Sequence, residues 1–126
     1  MAPWVYLVLF VSVIAADQLS KQWAIRSLSA LTRSPPLVGL GGVPAIAVWL
    51  LAGAAGAWLC TTTPGGGIAA LGGVAAWAAA GSNLGEWLVR GRVIDWLRLW
   101  PRSLTNLADA ALIVGAAQLT IWMAVN

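Results

Sequence analysis

The sequence predicts an all-α integral membrane protein, in which a four-transmembrane-helix bundle with short loops forms a single domain over residues 1–126. Three observations support this prediction: 60% of the residues are hydrophobic, only 9% are charged, and the mean hydropathy is +0.84. Typical soluble domains carry roughly a quarter charged residues. A chain of this composition therefore cannot cover a globular surface with solvated side chains.

Four apolar runs are each long enough to cross a bilayer, which takes about 20 helical residues. A Thr-Pro-Gly segment at 61–67 separates the second run from the third, and an Arg-rich segment at 90–103 separates the third from the fourth. The first run lacks the basic stretch that begins a cleavable signal peptide, so we expect it to remain as a helix. The predicted helices cover approximately residues 3–23, 37–60, 68–89 and 105–125.

Small residues recur four positions apart in the third and fourth predicted helices, a spacing that lets helix backbones pack closely in lipid. Most of the nine Trp residues lie near predicted helix ends, where indole rings favour the membrane interface. We therefore expect a tightly packed bundle with aromatic belts. The small residues are Gly72, Ala76, Ala80, Gly81, Gly85, Ala111 and Gly115, and the interfacial Trp residues are Trp4, Trp23, Trp58, Trp87, Trp96, Trp100 and Trp122.

The composition excludes several kinds of chemistry. The chain has no His and one Cys, Cys60, so it cannot form a zinc cluster, a Ser-His triad or an internal disulfide. We expect no metal and no cofactor. The net charge of +3 is spread between apolar runs and forms no basic stripe, so we expect no nucleic acid partner.

The few charged residues are the candidates for function, because ionisable groups at membrane depth are costly. Asp17 and Lys21 lie four residues apart on one face of the first predicted helix and can pair with each other. In the third predicted helix, Asn83, Glu86 and Arg90 also share a face. Such polar side chains either join neighbouring helices or belong to a site.

Two further acids lie near the start of the fourth predicted helix. Asp95 has an Arg three residues away on each side, so a surface ion pair is one interpretation. Asp109 lies three residues after Asn106, which suits an N-cap with Asp109 at the capping-box position. The alternative is a catalytic pair at the membrane edge, in which the two carboxyl groups share a proton as in aspartic proteases.

These motifs resemble lipoprotein signal peptidase (signal peptidase II), a family of four-helix membrane aspartic peptidases of bacteria. The family's first-helix pattern, Asp-Gln-Xaa-Ser/Thr-Lys, is met by residues 17–21, and its fourth, Asn-Xaa-Ala-Asp, by residues 106–109. The third pattern, Gly-Asn-Xaa-Xaa-Asp-Arg followed by Gly-Xaa-Val-Xaa-Asp-Phe, is approximated by residues 82–87 and 91–96. Glu86 and Trp87 stand where the family has Asp-Arg.

The resemblance implies a hydrolase of the bacterial cytoplasmic (inner) membrane that removes the signal peptide of lipid-modified prolipoproteins just before the lipidated Cys. It implies that Asp95 and Asp109 are the catalytic pair and that the partners are the prolipoprotein substrate and membrane lipid. The predicted supporting or substrate-binding residues are Asp17, Lys21, Asn83, Glu86 and Asn106.

The chain departs from the family between the first two helices. The family has an Asn-Xaa-Gly-Ala-Ala-type motif after a partly β segment that cradles the substrate, and residues 27–42 contain no counterpart of this motif. Two consecutive Pro residues and several Gly residues predict that this stretch is an irregular loop.

All seven basic residues fall at one end of the predicted bundle. The positive-inside rule places this end in the cytoplasm, whereas the resemblance places it outside, where prolipoproteins present their cleavage site. Three functions stay open: an aspartic endopeptidase, a catalytically lapsed accessory or scaffold subunit of a larger membrane complex, and a proton or lipid carrier, for which no inverted repeat is found. The basic residues are Lys21, Arg26, Arg33, Arg90, Arg92, Arg98 and Arg102.

Overall fold

Four helices, each long and apolar enough to cross a membrane, form the body of the protein. The computed structural model describes residues 2–28, 31–33, 41–62, 66–100 and 103–125. The predicted class, a four-transmembrane-helix bundle, is confirmed. The helices are α1 (Pro3–Ser27), α2 (Gly42–Thr62), α3 (Gly66–Arg90) and α4 (Leu107–Val125), and the short strands are β1 (Leu31–Arg33), β2 (Val93–Asp95), β3 (Leu97–Trp100) and β4 (Ser103–Thr105).

The helix ends differ from their predicted positions mainly where the charges lie. α1 continues four residues beyond the predicted end to Ser27, because its polar last turns are buried against the other helices and do not leave the bundle. α4 begins two residues later than predicted, because residues 103–105 pair as a strand. The predicted start of α2 at residue 37 lies outside the described residues. The described chain enters α2 through Gly41, whose φ of 76° favours Gly.

The charged end of the bundle also carries two small antiparallel ribbons, β1 with β2 and β3 with β4. Leu31 lies opposite Asp95, and Leu97 lies opposite Thr105. The prediction of an irregular loop over residues 27–42 is therefore wrong for residues 31–33. The local Pro and Gly content predicted a loop, but the strand depends on a partner about 60 residues further along the chain.

α3 lies at the centre of the bundle and packs against α1, α2 and α4. Small residues allow the closest approach: a Cβ atom added to Gly72 would lie 2.8 Å from the carbonyl oxygen of Gly115, and one added to Gly115 would collide with the carbonyl oxygen of Gly72. The predicted close packing of these two helices is confirmed at this pair.

Trp49 and Trp77 join α2 to α3 in a reciprocal arrangement. The indole N–H of each donates a hydrogen bond to the backbone carbonyl of the other, at 3.0 and 2.9 Å, and the rings stack with centroids 4.6 Å apart. Each ring lies over a glycine of the facing helix, Trp49 over Gly81 and Trp77 over Gly53. These two Trp residues therefore belong to a helix interface, whereas Trp4 and Trp58 near the helix ends are exposed.

Candidate active site

The charged end of the bundle contains a cluster of buried polar side chains. Burying charged groups in an apolar protein costs several kcal/mol each unless they are paired and hydrogen-bonded, so their contacts are expected to be specific. The buried polar and charged residues, each at most 5% exposed, are Asp17, Lys21, Ser82, Glu86, Asp95 and Asn106.

The ammonium group of Lys21 lies at the centre of this cluster. Its Nζ is 2.7 Å from Asp17 Oδ2, which confirms the predicted pairing, and 2.8 Å from Glu86 Oε2. It also donates a hydrogen bond to Asn83 Oδ1 at 2.8 Å. An ammonium group has three N–H donors. The three contacts therefore use all of its hydrogen-bonding capacity and join α1 to α3.

Asp17 joins three helices. Its Oδ2 accepts a hydrogen bond from the Ser82 hydroxyl on α3 at 2.7 Å, and its Oδ1 accepts one from the backbone N–H of Ala108 at 2.9 Å. Ala108 lies in the first turn of α4, where the free amides and the positive end of the helix dipole favour a carboxylate. Asp17 therefore fixes the beginning of α4 against α1 and α3.

Asp109, one of the two predicted catalytic acids, is held by both carboxylate oxygens. Its Oδ1 accepts a hydrogen bond from Asn83 Nδ2 at 2.9 Å, and its Oδ2 accepts one from the Thr105 hydroxyl at 2.7 Å. The Asn83 carbonyl already accepts from Lys21, so the orientation of this amide is fixed with its NH₂ group toward Asp109. The buried cluster thus sets the position of the Asp109 side chain.

Asn106 connects the two predicted catalytic acids. Its Nδ2 donates to Asp95 Oδ1 at 2.8 Å, and its Oδ1 accepts from the backbone N–H of Asp109 at 2.9 Å. The predicted N-cap of α4 is therefore confirmed, and the same side chain contacts Asp95. Asp95 itself is 3% exposed. Its interpretation as a surface ion pair is wrong, because β2 packs against β1, β4 and α3.

Glu86 connects the cluster to the strand that carries Asp95. Its Oε2, which contacts Lys21, also accepts a hydrogen bond from the backbone N–H of Ile94 at 3.2 Å. Its Oε1 is buried without a hydrogen-bond partner and lies 3.9 Å from Arg90 Nη1. Asn83 and Glu86 thus share the face predicted for them, and they act on different acids: Asn83 contacts Asp109, and Glu86 holds the residue before Asp95.

The structure brings all seven predicted site residues into one connected set of contacts, although they come from α1, α3, β2, α4 and the residue that caps α4. Three other polar residues also take part. Ser82 contacts Asp17, Thr105 contacts Asp109, and Gln18 donates to the Ser82 hydroxyl at 2.9 Å. Ser82 lies four residues before Glu86 on the same helical face, so its spacing is a signal in the sequence that predicts this position.

Among the residues that the structure describes, no three His, Cys, Asp or Glu side chains are grouped so that they could hold a metal ion. The chemistry that this arrangement offers is that of carboxyl groups and amides. Asp95 and Asp109 both lie around the Asn106 amide, at the polar end of membrane-spanning helices. Two such carboxyl groups can act together as acid and base.

Comparison with solved structures shows what the chain resembles. One is described as a bacterial membrane enzyme determined by the in meso method at 1.9 Å resolution. It aligns with a TM-score of 0.76 and 12% identity, over 96% of this chain and 93% of that chain. A second, described in the same way at 2.3 Å resolution, aligns with a TM-score of 0.74 and 14% identity, over 96% of this chain and 88% of that chain.

This chain shares their fold. At 12% and 14% identity the likeness concerns the fold alone, and it extends over nearly the whole of each chain. Neither a protein-family model nor a curated protein sequence matches the chain. With its four candidate spans, the protein is a multi-pass membrane protein built on a fold that bacterial membrane enzymes use.

Proposed function

We propose that this protein is a membrane aspartic endopeptidase resembling signal peptidase II, which cleaves the signal peptide of lipid-modified prolipoproteins in the bacterial cytoplasmic membrane. One observation carries the proposal: the Asn106 side chain donates to the carboxylate of Asp95 and accepts from the backbone of Asp109. Both acids are thereby held around one short side chain. The fold shared with bacterial membrane enzymes supports the same conclusion.

The proposed mechanism is hydrolysis by a shared proton. Two neighbouring carboxyl groups in an apolar setting do not both ionise easily, so the pair retains one proton between them. The ionised member takes a proton from a water molecule, whose oxygen attacks the peptide carbonyl carbon. The protonated member donates a hydrogen bond to the carbonyl oxygen, and a proton then passes to the leaving amine nitrogen. The reaction needs neither a metal nor a cofactor.

The rest of the cluster serves to position the pair. Lys21 and Asn83 hold Asp109, and Glu86 holds the backbone of β2 next to Asp95. β1, whose Leu31 is the register partner of Asp95, borders the pair on the other side of β2. This strand is a candidate surface for an extended substrate peptide, in a segment where the sequence pattern alone predicted a loop.

The proposal is tested with purified protein and a synthetic lipid-modified signal peptide, with the products identified by mass spectrometry. We expect Asp95→Asn and Asp109→Asn each to lower kcat by at least about 10³-fold, because the mechanism uses both carboxyl groups. Arg26→Gln, which changes an exposed charge at the end of α1, is the control and should retain activity. Absence of cleavage by the unaltered protein would refute the proposal.

A second function, that of an accessory subunit, is favoured by one observation: all seven basic residues lie at the end of the bundle that carries the site. The positive-inside rule would place this end in the cytoplasm, away from the cleavage sites of exported prolipoproteins. The test replaces exposed Arg92 by Cys in a Cys60→Ala background. Labelling by a membrane-impermeant maleimide added outside intact cells supports the peptidase, and labelling only after lysis favours the accessory subunit.

A further inference from the structure

An apolar groove of about 450 Å³ runs along the side of the bundle between α2 and α4, with α3 as its floor. We call it the α2–α4 groove. It is lined from Val48 to Cys60 on α2, from Ala70 to Leu84 on α3 and from Leu112 to Leu119 on α4. Every residue that lines it is apolar, and the rings of Trp49 and Trp77 form part of its wall. Several lining residues of α2 and α4 are exposed, so the groove opens toward the lipid.

The dimensions of the groove select the kind of ligand. The lining residues of α2 extend over twelve positions, or about 18 Å at 1.5 Å per residue, so the mean cross-section of the groove is about 25 Å². A helix with its side chains is about 10–12 Å across and needs a cross-section of roughly 80–110 Å². The groove is therefore too narrow for a transmembrane helix, and its shape fits one extended hydrocarbon chain.

One end of the groove lies beside the candidate active site. Leu112 lies one helical turn after Asp109 on the same face of α4, and Leu84 follows Asn83 on α3. A chain in the groove would therefore belong to a molecule whose polar part lies at the site. The acid at this end disfavours the phosphate of a bilayer phospholipid, because like charges repel strongly near an apolar surface.

We propose that the α2–α4 groove binds one acyl chain of the lipid-modified peptide, with the chain directed away from Asp109 toward Cys60. The inference rests on the proposed peptidase function and adds a binding site for the lipid to the site for the peptide. The groove would select substrates that carry a long acyl chain, and its small residues provide the space that the chain occupies.

Two glycines allow a matched test. A Cβ atom added to Gly73 meets no atom within 4 Å, so Gly73→Leu fills the groove without disturbing the packing, and Gly56→Leu does the same from α2. Gly85 on α3 is equally open, exposed and outside the groove, so Gly85→Leu is the control. The substrates are two peptides of one sequence, one with a long acyl chain and one with an acetyl group.

We expect Gly73→Leu to raise KM for the long-chain peptide roughly tenfold, a usual effect of altering an apolar pocket by about a methylene group. The acetylated peptide should be unaffected, and Gly85→Leu should change neither. If Gly73→Leu does not fold, Gly56→Leu gives the same comparison. An equal loss with both peptides, or no loss with either, overturns the inference.

A binding experiment separates failure of this inference from failure of the proposed function. A non-hydrolysable lipopeptide with a photoreactive group at the end of its acyl chain is irradiated with the protein in vesicles, and the labelled residues are mapped. Labelling of the groove that Gly73→Leu abolishes supports the inference even if no peptide is cleaved. No labelling there, or equal labelling by a phosphatidylcholine with the same photoreactive chain, overturns it.

Discussion

The two halves of the bundle are held together by different interactions. At the polar end, Lys21 joins Asp17 and Glu86 through buried ion pairs of 2.7 and 2.8 Å. In the apolar half, α3 meets α4 through the backbones of Gly72 and Gly115. Charged hydrogen bonds fix the direction of a side chain as well as its distance, whereas small-residue packing fixes mainly how close two helices lie. Directional control is thus concentrated where two acids must be aligned.

α2 shows the same contrast within one element. Among its described residues none is charged, and it packs mainly on α3 through Trp49 and Trp77. The polar cluster is built from α1, α3, α4 and the strands, whereas α2 contributes one wall of the α2–α4 groove. The site and the groove therefore depend on different helix contacts, and variants can affect them separately.

The largest effect on stability is expected at Lys21. Lys21→Met leaves Asp17 and Glu86 buried without their counter-charge, which should lower the free energy of unfolding by about 3–5 kcal/mol. Thermal unfolding in detergent measures the change. Arg26→Met removes an exposed base from the same helix and should have little effect. Equal unfolding temperatures for the two variants would mean that the ion pairs do not hold this end together.

A smaller effect is expected at the closest helix contact of the apolar half. Gly115→Ala places a methyl group against the carbonyl oxygen of Gly72, so the helices must separate, at a cost of about 1–3 kcal/mol. Gly73→Ala adds the same methyl group where no atom lies within 4 Å and should be nearly neutral. The same unfolding assay compares them. A neutral Gly115→Ala would show that the α3–α4 contact is not tightly packed.

The smallest effect is expected at the Trp pair. Trp49→Phe keeps an aromatic ring over Gly81 but removes one indole hydrogen bond, and interhelical hydrogen bonds in membranes average about 0.6 kcal/mol. A double-mutant cycle with Trp77→Phe measures the coupling between the two hydrogen bonds. Trp58→Phe, at a ring that is 68% exposed, is the control. A loss of several kcal/mol would mean that the pair contributes as much as the buried ions.

The number of helices and most of the site could be predicted from the sequence because both depend on local patterns. Hydropathy marks the spans, and the spacing of Asp17 and Lys21 places them on one face. The Asn106 cap is likewise a local motif. These motifs could be combined into one site because four consecutive helices bring their polar ends together.

The ribbons and the burial of Asp95 could not be predicted, because each depends on distant partners. β1 is a three-residue strand between segments rich in turn-forming residues, and its partner β2 lies about 60 residues away. The Trp pair also escaped prediction, although each member stands four residues before a Gly, Trp49 before Gly53 and Trp77 before Gly81. Within one helix this spacing indicates small-residue packing, and only the facing helix shows which ring fills which gap.

The pairing of Asp17 with Lys21 within one helix has a consequence for how the protein is made. α1 is synthesised before any other partner of these residues exists, since Ser82, Glu86 and Ala108 follow 65 or more residues after it. At a separation of four residues the two charges neutralise each other inside a single helix. α1 can therefore enter the membrane as an electrically neutral segment and exchange part of its internal pairing for contacts with α3 and α4 as these helices arrive.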